Sequence, residues 1–194
     1  MEYGPDLLYA EIIESPHAHA LIKSIDTSEA EKVPEVLAVV TGKDFPYKFG
    51  LYMQDRYIFA QDRVRFYGEQ IAAVVARTPQ AALKAAKLVK ISYEPLPKIL
   101  CPLEAIKDDS FKIHPELHNY NRVPWFFPKK DTNIAHHRRI RKGDTEKGFA
   151  EADFVFEDEY KVPRYAHCAI ETHAAVSYTH LRAHETVLDL VCRL

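Results

Sequence analysis

Between Tyr67 and Pro97 the apolar positions change their period twice, and the changes mark out a strand, a helix and a second strand. The run Ile71-Ala72-Ala73-Val74-Val75-Ala76 is continuous and short, the signature of a strand buried on both faces. Thr78 then supplies a side-chain oxygen at an N-cap, and Pro79 takes the first helical position, where its missing N–H costs nothing. From Gln80 to Leu88 the residues are strong helix formers, and Ala81, Ala82, Ala85 and Ala86 give the helix a small-residue face able to lie close to a sheet. Val89-Lys90-Ile91-Ser92-Tyr93 is the next strand, stopped by Glu94-Pro95-Leu96-Pro97 because proline cannot donate to a ladder. The helix over 78–88 is therefore expected to pack on one sheet holding both 71–76 and 89–93.

The same reading places strands at 7–14 and 20–26 on either side of Ser15-Pro16-His17, and a buried strand at 36–41. A short helix falls at 27–32, where Ser28 and Glu31 have capping-box spacing. The chain turns away at 42–48 and runs as loop to Gln61; an edge strand at 64–66 and a short helix at 102–106 follow. Residues 107–133 hold Pro115, Pro124, Pro128 and the triplet Trp125-Phe126-Phe127 without periodicity. So long an irregular stretch reads as a connection between domains, pinned by its aromatics to the surface it crosses. Pattern returns with a strand at 136–142, a turn at Gly143-Asp144, a helix at 145–151 and an alternating strand at 154–162. The fold class is α+β: an α/β domain over 1–106, a linker over 107–133, and the start of a second domain over 134–175.

With 194 residues and 47% hydrophobic content the chain can bury a real core. Its 26 Lys and Arg against 28 Asp and Glu give a net charge of −2, so no overall pull toward nucleic acid or anionic membrane is expected. No apolar run approaches the roughly 20 residues that span a bilayer, and the first residues lack signal-peptide character. Cys101, Cys168 and Cys192 lie far apart with no CxxC, which argues against a disulfide framework, a zinc site or an iron–sulfur site in this chain. A reducing cytoplasm is the default compartment. His17 and His19 share a face if extended and could begin a metal site, but no third ligand is evident, and a turn-anchoring role is preferred. The basic run His136–Lys142 is preferred as a solvated strand edge over a nucleic-acid patch. Glu69, at a strand start, carries no assigned chemistry; His114, His118 and Asn119 show no pairing pattern. There is no GxSxG elbow and no phosphate-binding glycine loop.

Several separated motifs, in order, resemble the molybdopterin-binding subunit of the xanthine dehydrogenase and aldehyde oxidase family. They are Ser15-Pro16-His17-Ala18-His19-Ala20, the Gly68–Ala76 strand with its Ala-rich helix and Glu94–Pro97 exit, Lys142–Asp153 with Gly143-Asp144, and His167–Ala175. The resemblance runs from about Leu7 to Ala175. It implies an N-terminal hammerhead domain followed by the beginning of a molybdenum-binding domain. The complete enzyme is then expected to hydroxylate a carbon of an N-heterocycle or aldehyde with water as oxygen source. It would use a molybdenum–molybdopterin cofactor, of mono- or dinucleotide form, and a glutamate base. FAD and [2Fe-2S] clusters would sit on partner subunits or domains. The base, the main pterin loops and the substrate pocket all lie outside these residues, so no catalytic residue, metal ligand or bound cofactor is expected here. Near-site positions carried over by resemblance are Tyr165, His167 and Glu171, with His173 on the same strand; Tyr165 stands where several members have a glutamine that contacts the metal's oxo ligand. A stand-alone hammerhead module that only binds partners is the alternative, distinguished by the genomic reading frame.

At Val176 the resemblance stops. Val176–Thr186 and Asp189–Leu194 resemble the conceptual translation of a transposase-type sequencing adapter, with Val187 and Leu188 at the variable index. On this reading 176–194 is not native sequence, His180, His184 and Cys192 are not ligands, and the segment can be deleted at little cost in stability.

Overall fold

The computed structural model describes residues 7–163, 165, 168 and 170. The chain divides into two compact units, Met1–Arg141 and Lys142–Leu194.

In the first unit the elements run β1 (Tyr9–Glu14), β2 (Ala20–Asp26), α1 (Ser28–Glu31), β3 (Val36–Thr41), β4 (Lys48–Phe49), β5 (Arg56–Tyr57), β6 (Arg63–Val64), β7 (Gln70–Ala76), α2 (Pro79–Ala86), β8 (Lys90–Pro95) and α3 (Pro102–Ala105). They form two three-stranded antiparallel sheets, ordered β1-β7-β3 and β6-β2-β8, and a β4-β5 ribbon. β7 is the middle strand of its sheet, and Ile71, Ala72, Val74 and Ala76 are fully buried. Its unbroken apolar run is explained by cover on both faces. Ile71 packs with Ala20, Ala60 and Val64 and with Ile22, Ile25 and Ile91 of the second sheet. Val74, on the opposite face, packs with Ala30 of α1, Val33 just beyond it and Ala85 of α2.

α2 forms as its sequence dictates. Thr78 is the N-cap and accepts a hydrogen bond from the Ala81 N–H at 3.3 Å, Pro79 opens the helix, and Ala81, Ala82 and Ala85 are its buried face. It lies on β1, β7 and β3. The strand after it, however, does not return to that sheet: β8 pairs with β2 in the other one. The expectation of one sheet holding both flanking strands is therefore corrected. β1 and β3 occupy both edges of β7, so β8 finds its hydrogen bonds on β2.

The capping box expected from Ser28 and Glu31 does not form. The N-cap is Thr27, so the N3 position falls on Ala30; Ser28 gives its hydroxyl to Asp26 (2.6 Å) and Glu31 accepts from Thr27 (2.6 Å). Gly42 opens a 3-10 turn against the chain at Phe59–Gln61; a Cβ there would lie 2.6 Å from the Ala60 carbonyl oxygen and 3.0 Å from that of Phe59. Backbone cannot step aside cheaply, so Gly42→Ala is expected to cost about 1–3 kcal/mol, read from a urea unfolding midpoint.

Two other strands are corrected. At 136–142 no ladder forms: Phe127 N donates to His136 Nδ1 (3.0 Å) and His137 N donates to the Phe127 carbonyl (3.1 Å), which folds the segment onto Phe126-Phe127. In the second unit α4 (Thr145–Ala150) is present, capped by Asp144, whose carboxylate accepts from Lys147 N at 3.0 Å. The alternating segment 154–162 after it has no ladder partner among the described residues, and Phe154, Phe156 and Tyr160 are at least 80% exposed. Alternation makes a strand only where a neighbour supplies the ladder.

Candidate functional site

The residues after α3 do not simply cross a surface; they dock on the β4-β5 region. Val123 N donates to the Tyr52 carbonyl (3.0 Å), Gln54 N to the Asn121 carbonyl (2.8 Å), and Met53 and Arg122 form an isolated bridge. Met53, Leu117 and Tyr120 are buried together, with Phe126 packed on them. The pinning is thus done by Leu117, Tyr120 and Phe126, with Trp125 set edge to face on Tyr52 at 5.2 Å although more than half exposed, while Phe127, expected to share it, stacks on His136 instead. Asn133 fastens the other end, accepting from Ile113 N (2.9 Å) and donating to the carbonyls of Phe111 (2.9 Å) and Ala105 (3.0 Å).

That docking brings titratable groups together. His114 Nδ1 lies 3.1 Å from the Tyr120 hydroxyl, with the rings edge to face. The same hydroxyl reaches Glu116 Oε2 at 3.4 Å. Burial, reinforced by the Arg65 guanidinium, lowers the His114 imidazole to a pKa of about 4, so it is neutral at pH 7. Burial also raises the Tyr120 phenol. Tyr120 can therefore donate to Glu116 while accepting from His114 Nδ1–H. Beside this pair a cavity of about 320 Å³ is lined by Lys48, Tyr57, Asp62, Arg65, Glu116, Asn119 and Tyr120. The Lys48 ammonium sits 4.4 Å from the Tyr120 ring centre. Sequence reading missed this grouping because its members come from 48–65 and 114–120; the available signal was a buried-type pair, Leu117 and Tyr120, inside an otherwise polar stretch.

Glu69 caps its own turn: its carboxylate accepts from Arg65 N at 2.5 Å, and burial pushes its pKa up against that bond. The two motif histidines part company. The His17 ring meets Tyr93 edge to face (4.8 Å), and the His17 backbone N–H donates to Ser15 Oγ (3.0 Å). His19 is buried, its Nδ1 2.5 Å from the Pro97 carbonyl and its ring stacked flat on Phe111 at 5.3 Å. Both brace the turn and the exit from β8, in line with the structural role preferred for them. No group of three or more His, Cys, Asp or Glu able to hold a metal occurs among the described residues. A second cavity, of about 380 Å³, is lined by Phe149, Phe154, Val155, Phe156 and small neighbours, none of them titratable.

The two sheets with α2 clasped on one of them, followed by the Gly143-Asp144 turn and α4, can be set against known proteins. A family model described as aldehyde oxidase and xanthine dehydrogenase, a/b hammerhead domain, matches residues 1–97, and one described as molybdopterin cofactor-binding domain matches 126–189. The chain belongs to the xanthine dehydrogenase and aldehyde oxidase family. A probable xanthine dehydrogenase subunit of Bacillus subtilis is 35% identical over 175 residues, 89% of this chain and 22% of that protein. The large molybdopterin subunit of Eubacterium barkeri nicotinate dehydrogenase is 36% identical over 90% of this chain and 38% of its own length. Among solved structures, the aldehyde oxidoreductase of Desulfovibrio gigas superposes with a TM-score of 0.59 at 30% identity, over 78% of this chain and 16% of that one. The hammerhead fold is confirmed, and the chain spans well under half the length of these relatives. Relatives named as subunits belong to multi-subunit assemblies.

Of the positions carried over by resemblance, Tyr165 is described and is 81% exposed; His167 and Glu171 lie outside the described residues, as does 176–194. The molybdopterin-domain match runs on to residue 189 and so overlaps the adapter-like segment. Among the described residues no helix is long and apolar enough to cross a membrane.

Proposed function

We propose that this chain is the N-terminal part of the large subunit of a molybdenum hydroxylase, an oxidoreductase that hydroxylates a carbon of an N-heterocycle or an aldehyde with water as the oxygen source. The observation that carries the reading is the order of the two domain matches along one chain, hammerhead at 1–97 and molybdopterin-binding domain at 126–189. In the complete enzyme a molybdenum–molybdopterin cofactor does the chemistry, and FAD and [2Fe-2S] clusters on partner subunits carry electrons away. Of the positions carried over toward that cofactor, Tyr165 is the one described, and it is exposed. No catalytic step is assigned to them. Tyr165, His167 and Glu171 are proposed to lie beside the cofactor only once the later loops are present. A ligand of this size needs groups converging from several loops, and one strand offers alternate side chains from one direction.

The proposal extends to 176–194 as adapter-derived sequence; the family match up to residue 189 weighs against that part, and resequencing the locus decides it. For the function itself the test compares this chain with the full-length gene product assembled with its partners. Metal analysis and turnover of hypoxanthine and aromatic aldehydes are the readouts. Molybdenum and activity are expected in the assembly and absent from the chain alone. Stoichiometric molybdenum in the chain alone would overturn the placement of the site, and an assembly lacking both would overturn the function.

A further inference from the structure

The cavity beside Tyr120 carries charges that have no salt-bridge partner among the described residues. Lys48 and Arg65 bring two cations to it, and Asp62 and Glu116 two anions. The ion pairs among the described residues are Lys23–Glu94, Glu29–Lys32 and Lys147–Glu151, so none of these four charges has an opposite charge within 4.0 Å. Their hydrogen bonds are equally sparse. The Arg65 side chain donates from Nε to the Ile113 carbonyl (3.4 Å), which leaves its terminal nitrogens unmatched among the described residues. The Lys48 ammonium faces the Tyr120 and Tyr57 rings, at 4.4 and 5.3 Å, and has no oxygen partner there. The Asn119 amide has no described partner either. Glu116 receives a single long bond from Tyr120 at 3.4 Å.

Lys48 and Arg65 are half-buried, so their polar groups have given up part of their water, whereas Asp62, Glu116 and Asn119 are exposed. Two partly desolvated cations facing two exposed carboxylates around one small space are what a ligand with both signs would satisfy. The formal charge of the four groups sums to zero. The neighbouring His114 is neutral and adds no cation, so an ion of one sign gains an attractive pair and meets a repulsive one. About 320 Å³ is at the lower end of the range for small-molecule sites and admits a molecule of amino-acid size. We propose that the cavity between Lys48, Arg65, Asp62 and Glu116 is a binding site for a small zwitterion, its carboxylate held by Arg65 and Lys48 and its ammonium by Glu116 and Asp62. The site lies wholly in the first unit, and its test does not depend on the catalytic reading.

The experiment is a titration of the whole chain followed by amide NMR, with glycine, β-alanine and γ-aminobutyrate as probes of different charge spacing. Acetate and ethylammonium serve as single-charge controls. At least one zwitterion is expected to move the Asn119 and Tyr120 amide signals saturably, and each control to bind at least tenfold more weakly. Glu116→Gln, a change at an exposed position, is expected to weaken the best probe about tenfold, and Arg65→Met at least as much. Should Arg65→Met fail to fold, Lys48→Met tests the same carboxylate contact. No saturable shift with any zwitterion, equal binding of either control, or undiminished binding to Glu116→Gln would overturn the proposal.

Discussion

Ala85→Asp is expected to unfold the first unit at ordinary temperature or to lower its thermal midpoint by well over 15 °C. Ala85 has no exposed surface and packs against Ala30, Val33 and Val74, where α2 lies on β7. A carboxylate there either stays charged in an apolar contact with no described cation, or takes up a proton and remains an unpaired polar group. Fitting two oxygens and a carbon into a filled contact adds overpacking of about 1–3 kcal/mol. Together these place the cost at about 4 kcal/mol or more, among the largest effects single substitutions produce. That is a major part of the roughly 5–15 kcal/mol by which domains are stable. Gln80→Asp, on the exposed first turn of the same helix, is the control; a negative charge there meets the positive end of the helix dipole and should leave the midpoint within about 2 °C. Circular dichroism melts of both variants are the measurement. A midpoint for Ala85→Asp within about 4 °C of the parent would mean that the small-residue face of α2 is not packed as described.

What the sequence could show of this fold was whatever is local. The Thr78-Pro79 start of α2 and its alanine face need only their own residues, and so does the continuous run of β7; each was legible. Sheet membership was not, because it depends on which edges are already taken. β8 reads as the natural partner of β7 across a tight helix connection, yet β1, far earlier in the chain, holds that edge through the register Tyr9↔Ala76 to Glu14↔Gln70. The segment 154–162 failed for the same reason in reverse, having the right alternation and no neighbour among the described residues. The Ser28–Glu31 spacing failed on a shift of one residue, since a capping box works only from the true N-cap. The family was legible because its motifs are strings. The cavity beside Tyr120 was not, because His114 meets Arg65 only through the docking of 107–133 on the β4-β5 ribbon, and nothing in the spacing of those residues announces it.

The docking of that stretch is expected to make stability fall as the solution is acidified, mostly between about pH 6.5 and pH 4. The cause is His114. In the unfolded chain its imidazole titrates near 6.5, whereas in the folded one burial and the Arg65 charge lower that to about 4. Between the two values the unfolded state holds a proton that the folded state does not. Stability therefore rises with pH across this window: the contribution is complete above about 6.5, shrinks as pH falls, and is gone below about 4. At 1.36 kcal/mol per unit the ideal contribution is about 3.4 kcal/mol; with solvent reaching part of the ring, about 2 kcal/mol is the expected size. Glu69 works against it, since a carboxyl whose folded pKa is raised favours the folded state most when protonated and loses that advantage as pH rises through its folded value. The parent alone would therefore understate the effect. The measurement is the urea unfolding free energy of the parent and of His114→Gln at pH 7 and at pH 4.5, with the difference between the two proteins isolating the imidazole. The parent is expected to lose about 2 kcal/mol more than the variant over that range, and the His114 ring signals to titrate below pH 5 by NMR. Parallel pH profiles, or a His114 ring titrating near 6.5, would mean that 107–133 does not bury it against Tyr120 and Arg65.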